Sequence, residues 1–134
     1  MKSRAFYFFA VLFLFCENSF AATCNEAIIY FVQFNLEEYV PSYSNDNIRS
    51  KAAEKWKLTE PSRIEELMRI LRSSSPHQYR DGLTRAAVEC GKRTFFINVG
   101  GEVETSRGRT YRINVQDFLR FHDSLRPTER MPLG

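Results

Sequence analysis

The chain has 134 residues, 43% of them hydrophobic and 26% charged, with a formal net charge of +3. That length suits one domain with a single core, and the charge is too weak to call for nucleic acid or an anionic membrane as partner. Three cysteines and two histidines, with no Cys-x-x-Cys or His-x-x-x-His spacing, argue against a metal site.

The first residues carry an export signature. Lys2 and Arg4 precede an apolar run from Ala5 to Cys16, and Ser19-Phe20-Ala21 puts small residues where a signal peptidase reads, so residues 1–21 are expected to be a signal peptide. About a dozen apolar residues fall short of the ~20 that span a bilayer, so no membrane span is expected after processing. Cys16 invites lipidation, but Phe15 stands where such processing wants a small residue. Removing Lys2, Arg4 and Glu17 takes 19 basic and 16 acidic residues to 17 and 15. Residues 22–134 are then expected to form a single globular domain in the periplasm or outside the cell. Its two remaining cysteines, Cys24 and Cys90, are expected to pair, as an even count in an exported chain usually does.

Thr23-Cys24-Asn25-Glu26 matches a capping box, and a helix from there would bury Ala27, Ile28, Phe31, Val32, Leu36 and Tyr39 and stop before Pro41. The β-prone run Ile28-Ile29-Tyr30-Phe31-Val32 makes a buried strand the competing reading. Asp46 or Asn47 caps a second expected helix, Ile48 to Leu58, with Ile48, Ala52 and Trp56 four apart. Ser62-Arg63-Ile64-Glu65 forms another capping box, and Ile64, Leu67, Met68 and Leu71 have the spacing of an amphipathic helix ended by Ser73-Ser74-Ser75-Pro76. Leu83, Ala86, Ala87 and Cys90 repeat that spacing before Gly91, predicting a fourth helix; a strand hairpinned through Gly91-Lys92 is the alternative.

From Thr94 the period changes to two. Phe95, Ile97 and Val99 share one face, and a three-residue loop over Gly100–Glu102 would set Val99 opposite Val103 and Ile97 opposite Thr105. Ser106-Arg107-Gly108 then sets Val103 opposite Tyr111. The other face would carry Phe96, Asn98, Glu104, Thr110 and Arg112. Asn114 caps a last helix with Val115, Phe118, Leu119 and Leu125 on its apolar stripe, and residues 126–134 read as a loose tail. The expected fold class is α+β: four N-terminal helices, a three-stranded antiparallel meander and a C-terminal helix.

Chemistry is sparse. No glycine-rich loop leads from strand to helix, no nucleophile elbow occurs, and no cofactor is expected. His77 and His122 could serve a secreted hydrolase of ribonuclease type only if they converge. Arg107 and Arg112 on the meander, beside Phe96 and Glu104, suit a protein-binding surface, where arginine and aromatic residues concentrate. Export favours a protein partner over nucleic acid. The expected function is therefore that of a small exported inhibitor or immunity-type protein, not an enzyme, which neutralises a toxin or hydrolase by surface complementarity. The remaining alternative is a structural subunit of an envelope assembly that uses an exposed sheet edge.

Overall fold

The computed structural model describes residues 24–34, 43–72 and 75–133. Strands β1 (Ala27–Phe31), β2 (Glu54–Leu58), β3 (Thr84–Cys90), β4 (Arg93–Asn98), β5 (Glu102–Thr105), β6 (Thr110–Arg112) and β7 (Arg130–Met131) form one antiparallel sheet. Its order is β6-β5-β4-β3-β1-β2-β7. The helices are α1 (Ile48–Lys51), α2 (Pro61–Ile70) and α3 (Val115–Asp123), with a 3-10 turn at Pro127–Glu129. The expectation of four N-terminal helices and a three-stranded meander is thus overturned: of the four, only Pro61–Ile70 is a full helix, and the meander is part of a seven-stranded sheet.

Each overturned helix has a period-two pattern beneath its helical spacing. Residues 27–31 alternate buried and half-buried, with Ala27, Ile29 and Phe31 inside. The strand pairs on both sides, with β2 and β3, and double pairing satisfies every β-prone residue at once. The part of that expected helix beyond Phe34 lies outside the described residues. In the second segment only Ile48–Lys51 is helical, after which Lys55 and Lys57 alternate with the buried Trp56 and Leu58. At the fourth, Gly91 takes a φ of 62° and opens a two-residue hairpin that sets Cys90 opposite Arg93.

The secure helix forms, although it starts earlier than the capping box suggests. Glu60 is the N-cap and Pro61 the first helical residue, with no side-chain cap; proline suits that place because its fixed φ is helical and the first amide would have no partner within the helix. Ile64, Leu67 and Met68 of α2 pack with Phe118 and Phe121 of α3 on one sheet face, over Ile29, Phe31, Val88, Ile97 and Val103. Asn114 caps α3 as expected, its side chain accepting from the Gln116 and Asp117 amides. Phe121 is buried where the sequence stripe named Leu119, which is only half-buried.

The other sheet face carries a smaller cluster in which Ile48 of α1 meets Val32 and Ala87, with Tyr30, Tyr43 and Phe96 against it. Beside it, at a bulge in β3, Arg85 is buried; its guanidinium lies 5.5 Å from the Tyr43 ring centre and donates to the Thr84 carbonyl.

Residues 126–131 are not a loose tail. β7 pairs with Lys55 and Trp56 of β2, and the buried Arg63 donates to Glu129 at 3.2 Å and to the Ser124 carbonyl at 3.2 Å. A guanidinium removed from water needs such acceptors, so the tail is drawn onto α2. The Cys24–Cys90 disulfide ties the chain ahead of β1 to the end of β3. The segment carrying the export signature lies outside the described residues, and among those described no helix is long and apolar enough to cross a membrane.

Candidate functional site

The meander turns where Asn98 organises its backbone. The Asn98 side-chain oxygen accepts from the Gly100 and Glu102 amides at 3.1 and 2.9 Å. Gly101 adopts a φ of 82°, and a Cβ there would meet the Ile113 carbonyl at 2.9 Å, so only glycine fits. The loop is Val99–Gly101, one residue earlier than expected, and Ile97 faces Val103 while Phe95 faces Thr105. Val103 faces Tyr111 as the sequence predicts. A shift of two residues keeps every side chain on its predicted face, but it moves Glu102 from the loop into the sheet, directly across from Arg112.

Glu102 becomes the centre of a polar cluster. It is 3% exposed. One carboxylate oxygen accepts from the Asn98 side-chain amide at 2.5 Å, the Arg80 backbone amide at 3.2 Å and Arg80 Nε at 3.1 Å. The other oxygen lies 2.9 Å from His77 Nε2. Burial acts to raise this carboxyl, but the bonds from Asn98 and Arg80, with the charge of Arg80, outweigh it and bring it down to about 2. Glu102 is therefore an anion at any ordinary pH. An acceptor-only carboxylate requires His77 to present Nε2–H, which leaves Nδ1 with the lone pair of the neutral ring.

A second network adjoins it. Asn45 accepts from Tyr79 and Thr84 at 3.0 and 2.8 Å and donates to Glu104 at 2.7 Å. Tyr79 and Thr84 hydroxyls lie 2.6 Å apart. Burial pushes the Tyr79 hydroxyl well above its ordinary value, so it serves as a neutral donor. Together these networks clip residues 75–84 across the sheet. The Arg112 amide donates to the Ser75 carbonyl at 3.1 Å, and Pro76 bridges to Tyr111, so this segment shields the β6 edge.

Of the contact residues read from sequence, Arg107 and Arg112 are exposed, and neither side chain has a hydrogen bond or ion pair among the described residues. Phe96 is not the bare aromatic of a solvent face. It is half-buried beside Ile48, with the Arg49 guanidinium 5.5 Å from its ring centre, because α1 covers this stretch. Glu104 faces Phe96 and is held by Asn45. Glu102, Asn98, Arg80, Tyr79 and Asn45 were missed. The readable signal was Asn98 two residues before a glycine pair, since asparagine at that place caps a turn and fixes its start.

The two histidines do not meet. His77 is paired with Glu102, whose neighbour Val103 points to the helix-covered face, so Glu102 and His77 lie on the opposite side. His122 lies on the helix side, stacked on Phe31 with ring centres 3.6 Å apart and Nε2 3.1 Å from Glu54. The sheet separates them, so a ribonuclease-type pair does not assemble. Glu54 also accepts from Trp56 Nε1 at 3.0 Å, which marks this second cluster as a boundary of the core. Among the described residues no group of three or more His, Cys, Asp or Glu is placed to hold a metal ion.

The Glu102 cluster carries a pH prediction. Its folded value is depressed below the ordinary 4.5, so its contribution is complete above about 4.5 and is lost as pH falls toward 2. The full shift corresponds to at most about 3 kcal/mol. Urea melts from pH 6 to 2 should show stability falling across that window, and Glu102→Gln should flatten the fall; an unchanged slope in the variant would assign the acid sensitivity elsewhere.

No protein-family model, no characterised protein and no solved structure matches this chain.

Proposed function

We propose that this is a small exported protein of inhibitor or immunity type, which neutralises a toxin or hydrolase by binding its surface. The observation that carries this reading is the pair of exposed guanidiniums on the meander, Arg107 in the turn closed by the Gly108 amide on the Thr105 carbonyl and Arg112 across from the buried Glu102. An arginine that makes no internal bond, on backbone that loses little freedom when a partner docks, is the kind of group that dominates binding energy. Phe96 and Glu104 face one another on the same side of the meander as Arg112. Export is supported by the Cys24–Cys90 disulfide, since such bonds form and persist in oxidising compartments.

The mature protein, used as bait on extract of its own cells, supplies the partner for titration. Arg107→Ala and Arg112→Ala are each expected to weaken its binding by about 2 kcal/mol, with melting curves nearly unchanged. His122→Ala is expected to leave affinity intact. Equal affinity of both arginine variants and the unaltered protein would remove the meander as the contact surface.

A further inference from the structure

We propose that the end of the sheet that carries Lys92, Arg93, Arg107 and Arg109 is a docking patch for a carboxylate-rich segment of the partner protein. This rests on the reading of the meander as a protein-binding surface, adds residues which that reading does not use, and names the chemistry of what they meet.

Topology brings two turns together. The β3–β4 hairpin turns at Gly91-Lys92 and the β5–β6 hairpin at residues 106–108. Both lie at one end of the sheet, because the chain between them runs along β4, turns at residues 99–101 and returns along β5. The Ser106 amide donates to the Thr94 carbonyl at 2.9 Å and the Thr94 amide to the Ser106 hydroxyl at 3.1 Å, which fastens one turn against the other. Two of the guanidiniums sit over rings of the helix-covered face: Arg93 is 5.6 Å from the Phe95 ring centre and Arg109 is 5.3 Å from that of Tyr111. Tyr111 is itself fixed, donating its hydroxyl to the Leu71 carbonyl. Burial raises that hydroxyl above its ordinary value, and the charges of Arg109 and Arg93 both act to lower it, which places both guanidiniums within reach of one oxygen.

The charge at this end is not matched within the chain. Residues 90–101 and 105–116 contain no Asp or Glu. The acids between them, Glu102 and Glu104, lie on the opposite face from Val103 and are held by Asn98 and Arg80 and by Asn45. Glu26 and Glu89 already pair with Lys57 and Arg49, at 3.2 and 3.4 Å. Lys92, Arg93 and Arg107 make no ion pair among the described residues. The rings of Phe95 and Tyr111 are 6% and 4% exposed, so no aromatic face is open for a nucleic-acid base to stack on, and neither turn holds an apolar side chain to enter a lipid surface. A guanidinium lying over a ring keeps its donors at the edge, where a planar carboxylate takes two at once. Strands two apart in a sheet lie roughly 10 Å from each other, and same-side residues of an extended peptide roughly 7 Å. Arg93 on β4 and Arg109 just ahead of β6 are therefore spaced for separate carboxylates rather than for one multiply charged group.

The probe is a capped peptide of alternating glutamate and serine, titrated into the mature protein at neutral pH and low ionic strength and followed by NMR of the backbone amides. The Lys92 and Arg107 amides should shift, while that of Arg120, whose guanidinium is already paired with Asp117, should stay in place. Arg93→Gln and Arg107→Glu should each weaken binding about tenfold, and Arg120→Gln should change nothing. Raising the salt to about 200 mM should weaken binding several-fold, since exposed charges are screened. Arg107 is exposed in a turn, so Arg107→Glu should melt like the unaltered protein and keeps the test decisive if Arg93→Gln loosens the fold. Unchanged affinity in Arg107→Glu, or shifts confined to other parts of the sheet, would overturn the patch. A single-stranded oligonucleotide or a heparin fragment of equal charge that binds these residues more tightly than the peptide would overturn a protein carboxylate as occupant. A natural partner weakened by Arg112→Ala but not by Arg93→Gln would overturn the patch while the meander stands as the contact surface.

Discussion

Replacing Cys24 and Cys90 together by serine is expected to cost about 4 kcal/mol of folding stability. The two cysteines are 66 residues apart in sequence, so the bridge removes much of the freedom of the unfolded chain by closing a long loop. In the folded state little is at stake locally, because Ala27 and Cys90 already face one another across β1 and β3. The melting temperature should fall by roughly 20 °C for a domain of this size. Denaturant melts of the double variant and of the reduced protein should agree. Two thiols that alkylate in the native, unreduced protein would show the bridge to be absent, and a loss below about 1 kcal/mol would show the unfolded chain to be constrained by other means.

Phe118→Ala is expected to cost about 3–5 kcal/mol, because truncation leaves a cavity the neighbours cannot fill. Phe118 is 1% exposed, and its ring lies 5.9 Å from that of Phe34 and 6.4 Å from that of Phe31. It joins α3 to β1, a strand paired on both sides, with β2 and β3. Leu119→Ala, one residue on and half-buried, should cost clearly less. Urea denaturation of the two variants measures the difference; similar losses would place the helix in a different rotation about its axis.

Much of the local structure follows from sequence because short-range chemistry alone decides it. Gly91 and Gly101 mark turns, Asn114 caps a helix, and the alternation of Phe95, Ile97, Val103 and Tyr111 assigns one face of the meander whichever of two registers is chosen. The disulfide of Cys24 with Cys90 also followed from sequence, from cysteine count and the export signature. The amphipathic helix at Pro61–Ile70 belongs with these, since its apolar spacing fits no strand.

Tertiary structure decided the rest wherever two periods fit the same residues. Ile48, Ala52 and Trp56 are four apart, yet Trp56 and Leu58 are also two apart, and pairing of β2 with β1 settled the matter in favour of a strand. The same holds for Ala86, Val88 and Cys90, which needed β1 on one side and β4 on the other before a strand became the better state. A strand's stability lies in partners distant in sequence, so propensity could not weigh it. The Glu102 cluster was hidden for a related reason: a two-residue change of register leaves the faces unaltered but moves one glutamate from a solvated loop to a site 3% exposed, where His77 and Arg80 arrive from a segment more than twenty residues away. Sequence determined which side chains share a face; only the folded sheet decided which strands lie side by side, because burying a charge requires partners that the chain brings together from far apart.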